Sequence, residues 1–196
     1  MQLKSICVYC GSSSGNHETY TKTAAELGKT LAAKGITLIY GGGRVGLMGV
    51  TATSVMAHGG QVTGIIPTFL NDKEGIAYDA ITTVKVVDSM HERKALMYDF
   101  ADAFIAMPGG YGTLDELFET LTWAQLGIHA KPIGLLNING YYDFLIQHAD
   151  KMVEERFLSP QNRAMLLADT TIDGLLQKMT AYEAPNTEKW LENVVL

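Results

Sequence analysis

The chain has 196 residues, 47% hydrophobic and 18% charged, with a formal net charge of −6. That balance fits one globular domain, residues 1–196, around a single well-filled core and excludes a disordered chain. No basic stripe accompanies the acidic total, which argues against a nucleic-acid partner but leaves room for one small phosphorylated ligand.

In chain order, residues 3–9 read as a strand, with Ile6-Cys7-Val8-Tyr9-Cys10 an unbroken apolar run. A helix is expected over 18–34, where Tyr20, Ala24, Leu27 and Leu31 share one stripe and Gly35 supplies the stop. A strand over 36–40, a glycine-opened helix over 46–58 and a strand over 61–66, closed by Pro67, follow. The polar stretch 71–78 reads as an irregular loop, and 81–87 alternates as a strand does. Next come a helix over 89–100, a short apolar strand over 103–107, and a helix over 113–126. This last helix is expected to bury Leu114, Leu117, Phe118, Leu121 and Ala124. A strand over 132–136 and helices over 142–155 and 171–182 complete the domain. Residues 183–196 form a C-terminal extension, in which 186–196 offers a short helix docked by Trp190, Leu191 and Val195. No apolar stretch approaches the ~20 residues needed to span a bilayer, so no membrane partner is expected. The first strand begins too early to leave room for a signal peptide, and a cytoplasmic protein is expected.

Strands that are almost wholly apolar and alternate with helices indicate a parallel sheet covered on both faces. Right-handed crossovers then give an α/β fold, a doubly wound Rossmann-like three-layer sandwich with a central parallel sheet. Ligands in such folds bind at the carboxyl ends of the strands. Here those ends lie at Gly11, Gly41, Met90 and Pro108 and the residues after each.

Cys7 and Cys10 have C-x-x-C spacing, yet in a strand positions three apart face opposite ways, so buried packing thiols are expected. Three strands end in glycine-rich turns: Cys10-Gly11-Ser12-Ser13-Ser14-Gly15, Gly41-Gly42-Gly43-Arg44-Val45-Gly46 and Pro108-Gly109-Gly110-Tyr111-Gly112-Thr113. Glycine lets a backbone approach an anion closely, and the helix that follows adds a favourable partial charge. The second turn matches G-x-G-x-x-G, but no carboxylate stands at the distance a dinucleotide ribose needs, where the sequence reads Gln61-Val62-Thr63-Gly64. A P-loop is absent, and Ser12, Ser13 and Ser14 lack G-x-S-x-G. The five histidines, His17, His58, His91, His129 and His148, are scattered, so no metal is expected. A pyridoxal phosphate enzyme built on Lys94 finds no room for its pyridinium partner or large domain, and no cofactor is expected.

Ser89 and Glu92 make a capping box for the helix that carries Arg93 and Lys94. Two cations near a helix N-terminus oppose its dipole, so either they lie on a solvated face or an anion compensates them. Arg44 poses the same question more weakly. Thr113 as N-cap with Glu116 three residues on forms a second capping box, which accounts for Glu116 structurally. A carboxylate beside a glycine turn is equally suited to grip ribose hydroxyls or to stabilise an oxocarbenium-like centre. Residue type leaves both readings open.

Taken together, Met90-His91-Glu92-Arg93-Lys94 and Pro108-Gly109-Gly110-Tyr111-Gly112-Thr113-Leu114-Asp115-Glu116 resemble the LONELY GUY family of cytokinin-activating phosphoribohydrolases. Cys10-Gly11-Ser12-Ser13, Tyr40-Gly41-Gly42-Gly43, Val45-Gly46-Leu47-Met48-Gly49 and Trp123-Ala124-Gln125-Leu126-Gly127-Ile128-His129 agree, and the likeness runs over about residues 5–182. The resemblance implies hydrolysis of the N-glycosidic bond of an N6-substituted adenosine 5′-monophosphate, releasing free base and ribose 5-phosphate. It implies Arg93 and Glu116 as the catalytic pair, and a turn of Gly109, Gly110, Tyr111, Gly112 and Thr113 that holds the phosphate. It further implies that Lys94, Met90, Leu114, Asp115, Thr122, Glu74, Gly11, Ser12 and Gly43 contribute to the nucleotide site of a homodimer. The alternative is a nucleotide- or phosphate-ligand-binding carrier of related Rossmann fold that performs no chemistry.

Overall fold

The computed structural model describes residues 2–70 and 81–185. The loop expected at 71–78, with Glu74, and the helix expected at 186–196 lie outside the described residues. Within them the elements run β1 (Ser5–Tyr9), α1 (Glu18–Ala33), β2 (Thr37–Tyr40), α2 (Gly46–Ala57), β3 (Val62–Pro67) and β4 (Thr83–Val87). They continue with α3 (Met90–Phe100), β5 (Ala103–Ala106), α4 (Tyr111–Gln125), β6 (Ile133–Leu136), a 3-10 turn (Ile138–Gly140), α5 (Asp143–Glu154), α6 (Pro160–Arg163), β7 (Leu166–Asp169) and α7 (Ile172–Thr180).

The strands form one parallel sheet in the order β4-β3-β2-β1-β5-β6-β7. Alternation along each strand sends side chains to two separate cores. Ile6, Val8 and Leu38 pack with Leu27, Leu31 and Val55 of α1 and α2. Cys7, Tyr9 and Phe104 pack on the other face with Met97, Leu117 and Tyr142. This is the expected three-layer sandwich. Cys7 and Cys10 are free, buried and assigned to opposite cores. Burial pushes both thiols well above their ordinary range, which leaves them inert packing groups. Among the described residues no helix is long and apolar enough to cross a membrane.

β7 and the one-turn α6 are absent from the expected elements. Leu166-Leu167-Ala168-Asp169 is a four-residue edge strand, mostly half-buried, and a run that short carries no period of its own. One boundary matters for the site. The helix expected to begin with Thr113 as N-cap begins at Tyr111, with Gly110 in the capping position.

The chain builds outward from β1 to β4, then returns to place β5 against the other side of β1. The turns after β1 and β5 therefore diverge and open a crevice between them, the place where ligands enter such sheets. Its floor is fixed by backbone hydrogen bonds, Met107 N to Tyr9 O at 2.9 Å and Gly11 N to Pro108 O at 3.0 Å. The β5 turn is also held from behind. Tyr142 Oη donates to Met107 O at 2.6 Å and Tyr141 Oη to Gly109 O at 2.5 Å. Asn137 sets these tyrosines in place, accepting from Tyr142 N and donating to Asp143, both at 2.7 Å. Tyr142→Phe leaves the buried Met107 carbonyl without its donor. Unfolding free energy in urea is expected to fall by about 1–3 kcal/mol.

Candidate active site

Arg93 sits in the first turn of α3, whose start is fixed by the expected cap. Ser89 Oγ accepts from Glu92 N at 3.1 Å, and Glu92 Oε2 accepts from Asp88 N at 2.9 Å, one residue further back than the usual box. With that geometry set, Arg93 points inward and is 9% exposed. Its guanidinium is poorly served there. Nη1 reaches only Met90 Sδ at 3.7 Å, Nη2 stands 3.6 Å from Glu116 Oε1, and Nε has no hydrogen-bond partner. A buried guanidinium carries five donors, and leaving them idle is costly unless a ligand takes them.

Glu116 comes from the second turn of α4. The capping-box explanation for it fails, because Thr113 lies inside the first turn, buried beneath Gly109, and caps nothing. Glu116 is thereby free to face Arg93, with its side chain 12% exposed. Burial pushes its carboxyl up to about 7, Arg93 pulls against that, and Asp115 adds to it. A carboxyl poised there changes protonation state near neutrality, which suits proton transfer or stabilisation of positive charge.

Arg93 and Glu116 line a cleft of about 300 Å³ at the crevice between β1 and β5. Cys10, Gly11, Ser12, Met48 and Met90 form one wall, and Gly110, Tyr111, Gly112, Thr113 and Asp115 the other. The second wall is the start of α4, with no capping side chain and no acidic residue in its first turn. The N–H groups ahead of Leu114, whose own N–H reaches Gly110 O at 3.2 Å, lack intrahelical partners and favour an anion. A second chamber of about 370 Å³ shares Gly11, Ser12 and Gly110 and extends past Gly109 to Tyr20 and Tyr141.

A family model described as "Possible lysine decarboxylase" matches residues 48–179. The chain is 49% identical over 188 residues to the cytokinin riboside 5′-monophosphate phosphoribohydrolase LOG1 of Arabidopsis thaliana, spanning 96% of this chain and 87% of the relative. It is 50% identical over 182 residues to LOG7 of the same plant, spanning 93% and 83%. The chain belongs to the LONELY GUY (LOG) family. The molybdenum cofactor carrier protein of Chlamydomonas reinhardtii superposes with a TM-score of 0.68 at 20% identity, over 92% of this chain and 100% of that one. The molybdenum cofactor binding protein of Rippkaea orientalis gives 0.67 at 22%, over 92% and 98%. At that identity the likeness extends to the fold alone.

Of the residues assigned from LOG-family resemblance, the structure gathers Arg93, Glu116, Met90, Asp115, Gly11, Ser12 and the turn from Gly110 to Thr113 around one cleft. Gly109 lines the adjoining chamber. Lys94 stands behind Asp115, with Nζ 3.2 Å from Asp115 Oδ2 and 3.0 Å from Glu119 Oε1, and so ties α3 to α4. Leu114 turns into the core. Two others lie elsewhere. Thr122 donates to Phe118 O at 2.7 Å and borders an apolar groove with Leu145, His148 and Met152. Gly43 borders a small cavity with Tyr40, Arg44 and Thr53. Cys10 and Met48, which stand in the motifs shared with the LOG family, and Tyr141 are not among the site residues expected from the sequence, and for Tyr141 only tertiary folding brings the ring to the crevice.

The raised carboxyl has a consequence for stability. Folded Glu116 holds its proton up to about 7 against an ordinary 4.5, so stability is present at low pH and is lost as pH climbs through that window. Glu116→Gln is expected to match the parent in urea unfolding near pH 4.5. By pH 8 it should exceed the parent by on the order of 3 kcal/mol.

Proposed function

We propose that this protein hydrolyses the N-glycosidic bond of adenosine 5′-monophosphates, N6-substituted ones included, to free base and ribose 5-phosphate. The observation that carries this reading is the buried, under-satisfied Arg93–Glu116 pair, set beside an open helix N-terminus in one cleft. The N–H groups from Gly110 to Thr113 hold the 5′-phosphate. Asp115 and Glu116 face the ribose. Cleavage sends the C1′–N9 electron pair onto the base and leaves positive charge on C1′ and the ring oxygen. Ionised Glu116 stabilises that charge and takes a proton from the water whose oxygen adds to C1′. Arg93 offers its idle N–H groups to the departing base, where negative charge develops. Glu116 then passes the proton taken from water to the departed base, which leaves neutral, and the carboxylate is restored.

Carriage alone would use the helix N-terminus but has no need of a buried carboxyl held near neutrality. Decarboxylation through a Schiff base on Lys94 would need a free amine, and that amine is held by two carboxylates. Glu74 and Thr122 belong to the nucleotide site by family resemblance alone. A cytoplasmic homodimer accommodates Thr122, because the groove it borders continues onto exposed Phe118, where a second subunit can dock.

Incubation with AMP and with isopentenyladenosine monophosphate, followed by chromatography, is expected to show free base. Glu116→Gln and Arg93→Ala should each lower kcat by about 100-fold or more while circular dichroism stays that of the parent. Activity at the parent level in either variant would sink the assignment. The rate should also rise with pH to a plateau, with an inflexion near 7 from Glu116. Arg93 lowers that carboxyl, so Arg93→Met should move the inflexion upward while the substrate phosphate ionisation, at about 6, stays where it was.

A further inference from the structure

The turn Gly41-Gly42-Gly43 has no part in the chemistry above, although its spacing imitates a phosphate-binding fingerprint. Each of its three glycines sits in a different place. Gly43 borders the separate small cavity, and Gly42 takes a φ of 78° against Ile66. Gly41 is different again. Its φ is not among the positive values, so its backbone would accept any residue. What excludes a side chain is the Arg93 guanidinium. A Cβ on Gly41 would overlap Nη2 and stand 2.9 Å from Cζ and 3.3 Å from Nε.

Three atoms of the guanidinium thus lie against one α-carbon at the carboxyl end of β2. No side chain takes a hydrogen bond from Nε, and the Nη1 contact to sulfur is long. Hydrogen bonds therefore do little to aim this group. Shape has to do it, and the bare backbone at Gly41 is the flat surface available. Nη2, the atom nearest that surface, is also the atom that faces Glu116 at 3.6 Å.

We propose that Gly41 is a positioning residue: the missing side chain forms the seat that holds the Arg93 guanidinium at its working distance from Glu116. The inference builds on the catalytic role assigned to that pair. A methyl group at 41 unseats Nη2, weakens its pull on the Glu116 carboxylate and misplaces the cation that receives the departing base. The first glycine of this turn is then required for a contact with an arginine from another element, and phosphate binding plays no part in it.

The test is Gly41→Ala, alone and combined with Arg93→Ala, with two independent readouts. Steady-state hydrolysis should show kcat reduced by roughly 10- to 100-fold with KM little changed, as expected for a misaimed catalytic group. Carbon-13 NMR titration of Glu116 should show it titrating higher in Gly41→Ala than in the parent. In the Arg93→Ala background there is no guanidinium to displace, so Gly41→Ala should move neither the titration nor the thermal midpoint. If no nucleotide is hydrolysed, the functional reading fails, while the titration still decides the seating. An unchanged Glu116 titration in Gly41→Ala would overturn the proposal. So would an equal loss of thermal stability in both backgrounds, which marks a glycine needed for the fold alone. If Gly41→Ala does not fold, recovery of folding in the double variant supports the seat, and failure of both overturns it.

Discussion

Arg93 and Glu116 meet 3.6 Å apart where neither is fully served by the other. A close, well-bonded pair would have pulled the carboxyl below its ordinary range, yet burial outweighs the attraction and lifts it to about 7. The guanidinium keeps a buried Nε without an acceptor. Two opposite charges are thus removed from water and incompletely matched. That arrangement costs stability and leaves both groups available to a third party.

Much of the surrounding architecture serves to hold that pair open. The parallel sheet brings α3 and α4 to the same crevice although they leave different strands. The Ser89 and Glu92 caps fix where α3 starts, and Lys94 links α3 to α4 through Asp115 and Glu119. Tyr141 and Tyr142 grip the β5 turn from behind through its carbonyls. Charge, helix position and turn geometry converge on one small volume, as preorganised catalysis requires.

The three glycine turns look alike in sequence and behave differently in space. The turn after β1 and the turn after β5 share the crevice walls. The turn after β2 contributes clearance for an arginine side chain instead. Membership of the LOG family accounts for the paired motifs, and the geometry gives each part of them a separate physical task.

The sequence determined the three-layer architecture, because nearly continuous apolar strands alternating with amphipathic helices have few other ways to bury their faces. It also raised Arg93 and Glu116 as candidates, one a cation set against a helix dipole and the other a carboxylate beside a glycine turn. Residue type left both open, and only the resemblance of the paired motifs implied them as the catalytic pair. It did not reveal β7, a four-residue edge strand too short for a period, nor the true start of α4. That start is set where Gly109 packs over Thr113, a close approach that no propensity anticipates. Only tertiary structure decided that Glu116 caps nothing, that Thr122 and Gly43 sit apart from the cleft, and that Gly41 lies against Arg93. Those facts depend on distances between elements far apart in the chain, and local pattern carries no record of such distances.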